Sequence, residues 1–180
     1  VERAVHQALT HFGRIDILVH CAAIGLIRQL SEMTISEWDA VLGTNLTGAF
    51  LLCRAVVRSL LEAKRPGRIL LVSSGSGKTG ASSISAYSAS KFGLIGLTQS
   101  LSKELATHGV TVNAVCPGAM DTDMLRKDTL EVLAARSGIS VEEMRERYLR
   151  AIPIRRLIRP EEVAELLLFL ASEKGSAVTG

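Results

Sequence analysis

Two side chains separated by one helical turn have the right chemistry for proton transfer. Tyr87 and Lys91 stand four residues apart in a segment with helical periodicity, so their side chains share one helix face. A phenol with a pKa of about 10 is a poor base at neutral pH, but a neighbouring ammonium favours the phenolate and lowers that pKa. The pair therefore predicts a tyrosine that exchanges a proton with a carbonyl or hydroxyl oxygen.

Two further polar residues are candidates for the same site. Ser74 follows the apolar run 68–73 and could hydrogen-bond the oxygen that Tyr87 protonates, and Asn45 stands at the start of a helical segment. The tyrosine–lysine spacing alone is a weak motif, because a surface lysine beside a half-buried tyrosine gives the same pattern. The elements that carry these residues therefore have to be considered.

Short apolar runs alternate with helical segments along the chain. Strands are predicted over 15–22, 68–73 and 110–115; helices are predicted over 1–12, 34–42, 45–63 and 87–108, in a charged insertion over 119–158, and from Pro160 to about residue 174. Short strands buried on both faces and separated by helices indicate a parallel sheet with crossover connections. The fold class is α/β, a doubly wound domain over 1–180, in which ligands bind beyond the carboxyl ends of the strands.

Composition excludes several classes of protein. With 180 residues, 47% hydrophobic and 22% charged, the chain is neither disordered nor of low complexity. A net charge of +3 is too small to indicate binding to nucleic acid or to an anionic membrane surface, and no apolar run has the length of a membrane span. Three distant cysteines (Cys21, Cys53, Cys116) indicate neither a disulfide framework nor a zinc module, so we expect no metal and a reducing, cytoplasmic location.

The sequence around these candidates resembles the active-site signature of the classical short-chain dehydrogenases/reductases. Ser74 precedes Tyr87-Ser88-Ala89-Ser90-Lys91 by 13 residues, as in that family. The other matching segments are 16–23 (DILVHCAA, like "DILVNNAG"), 44–48 (TNLTG), 112–118 (VNAVCPG, like "VNAVAPG") and 159–164 (RPEEVA). The resemblance covers essentially the whole chain and implies a Rossmann-like fold.

The resemblance also implies roles for individual residues. Tyr87 would be the general acid/base, Lys91 would lower its pKa and hold the nicotinamide ribose, Ser74 would orient the substrate oxygen, and Asn45 would anchor a proton-relay water. The cofactor, NAD or NADP, would also contact Pro117, Gly118, Met120 and Thr122 at the carboxamide, and His20 and Ala22 along the adenosine side. The reaction would be hydride transfer between nicotinamide and a carbonyl or alcohol carbon.

The chain departs from the family pattern in two places. Residues 20–23 read His-Cys-Ala-Ala where the family has Asn-Asn-Ala-Gly, and we interpret His20 as a hydrogen-bonded strand-end histidine rather than a metal ligand. The sequence has no glycine-rich phosphate loop, which in this fold follows the first strand. We therefore expect a partial Rossmann domain that lacks its first strands, with on the order of 60–80 residues missing, and that binds cofactor poorly by itself.

Substrate and partners are predicted less specifically. The loop 76–80, the segment 91–101 and the insertion 119–158, interpreted as a substrate lid, resemble the polyol and sugar-alcohol (including sugar-phosphate) branch of the family, with a 3-oxoacyl-thioester reductase as the alternative. The six arginines between 145 and 159 form either an ion-paired solvated face or a binding site for a substrate phosphate or carboxylate. Helices 45–63 and 87–108 build the dimer interface in the resembled family, so a homodimer or homotetramer is expected.

Two other functions remain as alternatives. Gly75-Ser76-Gly77-Lys78-Thr79-Gly80 is similar to a P-loop, but Val72 stands where the first glycine is required and no helix start follows. A non-enzymatic scaffold would explain the altered strand at 20–23, whereas the four intact catalytic positions argue against it.

Overall fold

A parallel sheet of three strands lies at the centre of the computed structural model, which describes all residues 1–180. The strands are β1 (Ile17–His20), β2 (Gly67–Val72) and β3 (Val110–Val115), in that spatial order. The register pairs His20 with Leu71 and Val72 with Val115, so all three strands end at the same edge. The predicted α/β fold with a parallel sheet is confirmed.

Seven helices surround the sheet: α1 (Glu2–Phe12), α2 (Ile35–Leu42), α3 (Gly48–Glu62), α4 (Ser85–Leu105), α5 (Val132–Ser137), α6 (Val141–Ala151) and α7 (Pro160–Ala171). Their starts follow the local sequence. Thr34 and Glu37 form the predicted capping box at α2, the Ser140 hydroxyl accepts a hydrogen bond from the Glu143 amide at α6, and Pro160 occupies the first turn of α7.

The prediction of two separate helices over 34–63 is wrong. A π-helical turn, Gly43–Thr47, joins α2 to α3 in one continuous helix, because Gly43 stays in the right-handed helical region (φ −57°) and does not end α2. The joined helix, Ile35–Glu62, is long and apolar enough to span a membrane, contrary to the sequence-based expectation. Buried core helices also pass this test, and one face of this helix (Val41, Asn45, Ala49, Cys53, Val56, Leu60) is packed in the interior.

Helices cover the two faces of the sheet unequally. Residues of α3 and α4 pack against Ile69, Leu71 and Val112 on one face and form the main core. On the other face α7 packs against β2 and β3, where Leu70, Val115 and Leu170 form a smaller cluster. The alternation of strand residues between two covered faces explains why β2 is buried along its whole length.

The expectation that every strand is buried on both faces is wrong for β1. Leu18 packs against the main core, but Ile17 and Val19 point to the other face and are 47% and 44% exposed. This face of β1 lies beyond the part of the sheet that α7 covers. The apolar sequence of β1 therefore predicts a strand, but it does not predict which of its side chains are buried.

Candidate active site

Backbone hydrogen bonds fix Ser74 at the carboxyl edge of the sheet. The Ser73 amide donates to the Val115 carbonyl and the Gly75 amide to the Pro117 carbonyl, both at 2.8 Å, so the loop after β2 is tied to the segment after β3. The Ser74 hydroxyl accepts a hydrogen bond from the Ser76 amide at 3.1 Å and caps a short 3₁₀ turn. This turn holds the hydroxyl toward α4.

Tyr87 lies in the first turn of α4 with its hydroxyl beside Ser74. Burial is the largest influence on the phenol and raises its pKa, and Tyr148 raises it further, whereas the hydrogen bond with Ser74 lowers it. The expectation that Lys91 makes this phenol acidic is wrong for the structure as it stands, because desolvation of the phenolate dominates. Tyr87 is therefore a protonated donor at neutral pH.

Lys91 lies one helical turn further along α4 and is 2% exposed. Its ammonium donates a hydrogen bond to the Val72 carbonyl at 2.8 Å and lies 5.6 Å from the centre of the Tyr87 ring. Burial lowers its pKa to about 8, and the nearby thiols of Cys21 and Cys116 oppose that change. Only one of its three N–H bonds is used within the protein, so two remain for an external acceptor.

Asn45 is fully buried in the π-helical turn, and its side chain joins two segments. The amide oxygen accepts from the Ile24 amide at 2.8 Å, and the amide nitrogen donates to the Ile24 carbonyl at 3.0 Å and to the Ser90 hydroxyl at 3.1 Å. Both N–H bonds are thus committed to the loop after β1 and to α4. The side chain makes no hydrogen bond to Lys91 or Tyr87, so it acts as a brace.

His20 and Ala22 lie at the end of β1 and do not line the cleft that contains Tyr87. His20 lies at the end of a strand, as expected, and is 3% exposed, but its Nδ1 atom lacks the hydrogen-bond partner that was expected for a strand-end histidine. Burial lowers the pKa of His20, and the Lys91 ammonium lowers it further. Ala22 is exposed.

Most of the other predicted residues meet in one cleft of about 440 Å³. Its lining includes Ser74, Tyr87, Pro117, Gly118, Met120 and Thr122, whereas Lys91 and Asn45 lie behind this surface. A second groove of about 700 Å³ runs between α4, β3, α7 and the last residues of the chain and contains none of the four candidate catalytic residues. The smaller cleft is therefore the candidate site.

Residues 119–158 supply cleft residues that sequence reasoning missed. Asp128, Thr129 and Tyr148 line the cleft opposite Ser74 and Tyr87. The first two lie in a π-helical segment, Met124–Glu131, whose wide turn does not follow ordinary helical periodicity. Tyr148 is the only tyrosine besides Tyr87, and this rarity was the one feature of the sequence that could have suggested a role for it.

The arginines of the insertion form ion pairs outside the cleft. Arg147 pairs with Glu143 and Arg150 with Glu146, each one turn apart on α6, and the guanidinium of Arg156 pairs with Glu162. None of the six arginines lines the cleft. This arrangement is the ion-paired solvated face, and the alternative of a phosphate site formed by these arginines is wrong for the cleft.

The loop 75–80, which is similar to a P-loop in sequence, does not have the conformation of a P-loop. Residues Gly75–Gly77 form the 3₁₀ turn, the Lys78 side chain is exposed, and α4 begins only at Ser85. A Cβ atom at Gly77 would lie 2.5 Å from the Ser73 hydroxyl oxygen and 2.8 Å from the Lys91 carbonyl oxygen. Glycine is required here because the loop packs directly on the backbone of α4.

The residues present fit the nicotinamide end of a dinucleotide. The Lys91 ammonium has two unused donors, and Pro117, Gly118, Met120 and Thr122 line the cleft beside Tyr87. No glycine-rich loop for the diphosphate occurs in the sequence, so the fit extends to this end alone. No group of three or more His, Cys, Asp or Glu side chains is arranged to hold a metal ion.

Comparisons with known proteins agree with this geometry. A family model described as "Enoyl-(Acyl carrier protein) reductase" matches residues 1–180. The 3-oxoacyl-[acyl-carrier-protein] reductase FabG of Aquifex aeolicus is 39% identical over 180 residues, which are all of this chain and 67% of that protein. Sorbitol-6-phosphate 2-dehydrogenase of Escherichia coli is 37% identical over 169 residues, 94% of this chain and 65% of that protein.

Solved structures give the same result. The chain matches sorbitol-6-phosphate 2-dehydrogenase from Erwinia amylovora with a TM-score of 0.93 and 34% identity, over 99% of this chain and 70% of that one. It matches an actinorhodin polyketide ketoreductase, crystallised with NADPH, with a TM-score of 0.94 and 37% identity, over 99% of this chain and 68% of that one. The chain therefore belongs to the classical short-chain dehydrogenase/reductase family of NAD(P)-dependent oxidoreductases.

Proposed function

We propose that the protein interconverts a ketone carbonyl and a secondary alcohol, with Tyr87 as the general acid/base. The observation that carries this proposal is the geometry at one wall of the cleft. The Ser74 and Tyr87 side chains line the same cleft, with Ser74 close enough to lower the pKa of the phenol, and the Lys91 ammonium lies 5.6 Å from the centre of the tyrosine ring.

The electrostatics of these residues suit the direction of reduction. A bound nicotinamide supplies the hydride that the carbonyl carbon accepts. Because burial raises the pKa of Tyr87, its phenol holds the proton that the carbonyl oxygen needs at neutral pH. Ser74 donates to the resulting phenolate, and Lys91, with a pKa of about 8, supplies a positive charge near it.

We assign Asn45 a positioning role. Its side chain ties the loop after β1 to Ser90, and the Ser90 hydroxyl donates to the Tyr87 carbonyl at 2.7 Å. Asn45 thereby fixes the first turn of α4, which carries Tyr87. The relay water expected from the family resemblance stays a prediction.

The cofactor is NAD or NADP, held at its nicotinamide end by Tyr87, Lys91 and the segment 117–122, with His20 and Ala22 toward the adenosine. Because the 180 residues contain no glycine-rich phosphate loop, this chain by itself binds the dinucleotide weakly. Titration of the 180-residue chain with NADH and NADPH, followed by fluorescence, tests this proposal. Binding in the micromolar range would contradict it.

Two substrate classes have support. The hydroxyl and carboxylate groups of Thr79, Thr129 and Asp128 suit a polyol or sugar. The apolar lining from Leu26, Ile84 and Met124, together with 39% identity to 3-oxoacyl reductases, suits a 3-oxoacyl thioester.

The deciding experiment is a substrate screen on the protein expressed at its natural length. NADH or NADPH oxidation is followed with ketoses, β-keto esters and an acetoacetyl thioester, and polyols are tested with the oxidised cofactors. Turnover of the thioester with none on ketoses or polyols would contradict the polyol assignment. No turnover with any compound would contradict the proposed function, and Tyr87→Phe serves as the inactive control.

For assembly and location we propose a homodimer or homotetramer in the cytoplasm. Phe50 on α3 and Phe92 on α4 are 44% and 46% exposed, so both helices present apolar side chains for a subunit contact. All three cysteines are free, which suits a reducing compartment. Light scattering of the purified protein measures its molar mass in solution, and the mass of a monomer would contradict the proposed homodimer or homotetramer.

A further inference from the structure

The charge of the cleft is set by one residue. Among the 22 residues that line it, Asp128 is the only charged one. The others are apolar residues, glycines, and hydroxyl-bearing residues such as Thr79, Thr129 and Tyr148. A substrate in this cleft therefore meets one negative charge and no positive one from the lining.

Nearby cations do not neutralise Asp128. Arg126 forms ion pairs with Asp121 and Asp123, and Lys127 pairs with Asp123. The Arg136 guanidinium donates to the Ile27 carbonyl at 3.1 Å. The Asp128 carboxylate forms no ion pair or hydrogen bond with the rest of the chain and is exposed, so its charge acts on the solvent and on whatever occupies the cleft.

The wall that carries Asp128 faces the proposed reaction centre. Tyr148, on the same wall, is close enough to Tyr87 to raise the pKa of that phenol. Tyr148 and Asp128 line the cleft together with Ser74 and Tyr87. A substrate that reacts at Tyr87 therefore shares the cleft with the Asp128 carboxylate, whose field is screened over a Debye length of about 8 Å at physiological salt.

We propose that Asp128 is a specificity-determining residue that excludes phosphorylated and carboxylate-bearing compounds, so that the enzyme accepts substrates with an electrically neutral reacting end. This inference rests on the proposed oxidoreductase function and deepens it. It separates the substrate of this chain from sorbitol 6-phosphate, which the name of one relative contains. A polyol and the acyl end of a 3-oxoacyl thioester are both electrically neutral, so both substrate classes remain compatible with this proposal.

The test compares two pairs of substrates that differ mainly in charge. Ethyl acetoacetate is paired with acetoacetate, and D-fructose with D-fructose 6-phosphate, in NAD(P)H oxidation by the natural-length protein. We expect kcat/KM to be about fivefold higher for the neutral member of the pair that is turned over, because like charges a few ångströms apart repel each other while the solvent around the exposed Asp128 limits the effect. Raising the ionic strength should reduce this ratio.

Substitution of Asp128 should remove the discrimination. In Asp128→Asn we expect the ratio of the two kcat/KM values to fall to within about twofold and to lose its dependence on salt. In Asp128→Lys the anionic member should become the better substrate. Asp39→Asn is the matched control, because Asp39 is exposed on α2, away from the cleft, and carries the same charge.

The outcomes separate this inference from the function on which it rests. Turnover with equal or greater kcat/KM for the anionic compound, unchanged in Asp128→Asn, would overturn the role of Asp128 and leave the oxidoreductase function intact. A loss of discrimination in Asp39→Asn as large as in Asp128→Asn would overturn it too, since net charge alone would then explain the effect. Absence of turnover with every carbonyl in the wild type would contradict the proposed function itself.

Discussion

The two walls of the cleft are built in different ways. One wall consists of the loop after β2 and the start of α4, where hydrogen bonds tie the loop that carries Ser74 to the segment around the end of β3, and the Lys91 ammonium to β2. The other wall is the insertion 119–158, where Asp128 and Tyr148 lie on short helices joined to the core by fewer contacts. In the proposed function the first wall holds the groups that do chemistry, and in the further inference the second wall carries groups that select the substrate.

This division follows from what each wall has to do. Proton transfer requires donor and acceptor at fixed distances, so its groups are attached to the end of a buried strand and to the long helix α4. Selection of a substrate requires only a suitable shape and charge, which exposed helices can supply and vary. Substitutions on the first wall should therefore lower the rate, and those on the second should mainly change which substrate is used.

The largest effect is expected for Tyr87→Phe. Removal of the phenolic proton should lower kcat/KM by about 10³-fold, within the range of general acid–base catalysis, with little change in the affinity for NAD(P)H. Steady-state kinetics and a fluorescence titration of the cofactor measure the two quantities. A loss of less than tenfold would show that another group supplies the proton.

Lys91→Met should reduce turnover by about a hundredfold or more and also alter stability. The Lys91 ammonium has a pKa of about 8 in the folded chain against 10.5 for an ordinary lysine. Between these values the unfolded chain binds more protons, so the free energy of unfolding of the wild type should rise with pH above 8. Urea unfolding at pH 7, 8 and 9 should show this rise in the wild type and a flatter profile in Lys91→Met; identical profiles would contradict the burial of the ammonium.

Ser74→Ala should lower kcat/KM by roughly 10- to 100-fold, because it removes a hydrogen bond to the substrate oxygen and to the phenolate. That hydrogen bond lowers the pKa of Tyr87, so its loss should move the Tyr87 limb of the pH–rate profile to higher pH. A pH series of kcat/KM measures the shift. A movement to lower pH would be inconsistent with the assigned donor.

The smallest effect is expected for Tyr148→Phe on the selecting wall. Loss of one hydroxyl should change kcat/KM by about threefold, mostly through KM, because the ring still fills its space. Comparison of kcat and KM with those of Ser74→Ala tests the division between the walls. A loss in kcat as large as that of Ser74→Ala would remove the distinction.

The sequence predicted the first wall far better than the second. The strands preceding Ser74 and Cys116 are short apolar runs between helix signals, and the spacing from Ser74 to Tyr87 to Lys91 matches a family motif. These positions depend on local pattern and on the rule that parallel strands end at a common edge. That part of the site was therefore within reach of sequence reasoning.

Other features depend on contacts that a sequence pattern does not contain. The π-helical turns at 43–47 and 124–131 add a residue to the turn, which shifted the predicted helix boundaries and hid Asp128. The pKa of Tyr87 depends on how deeply the phenol is buried, whereas the spacing of Lys91 alone predicted the opposite direction. Exposure of β1 likewise depends on which elements cover it.

The absence of a side chain at Gly77 has a consequence for the active site as a whole. The serine-bearing loop packs closely on the lysine-bearing helix there, and the Ser73 hydroxyl beside Gly77 donates a hydrogen bond to the Lys91 carbonyl at 2.8 Å. Any larger residue would act as a wedge, moving the hydroxyl and the ammonium apart although it touches no reacting group. The distance between the Ser74 hydroxyl and the Lys91 ammonium therefore depends on residue 77 being a glycine, which has no Cβ atom.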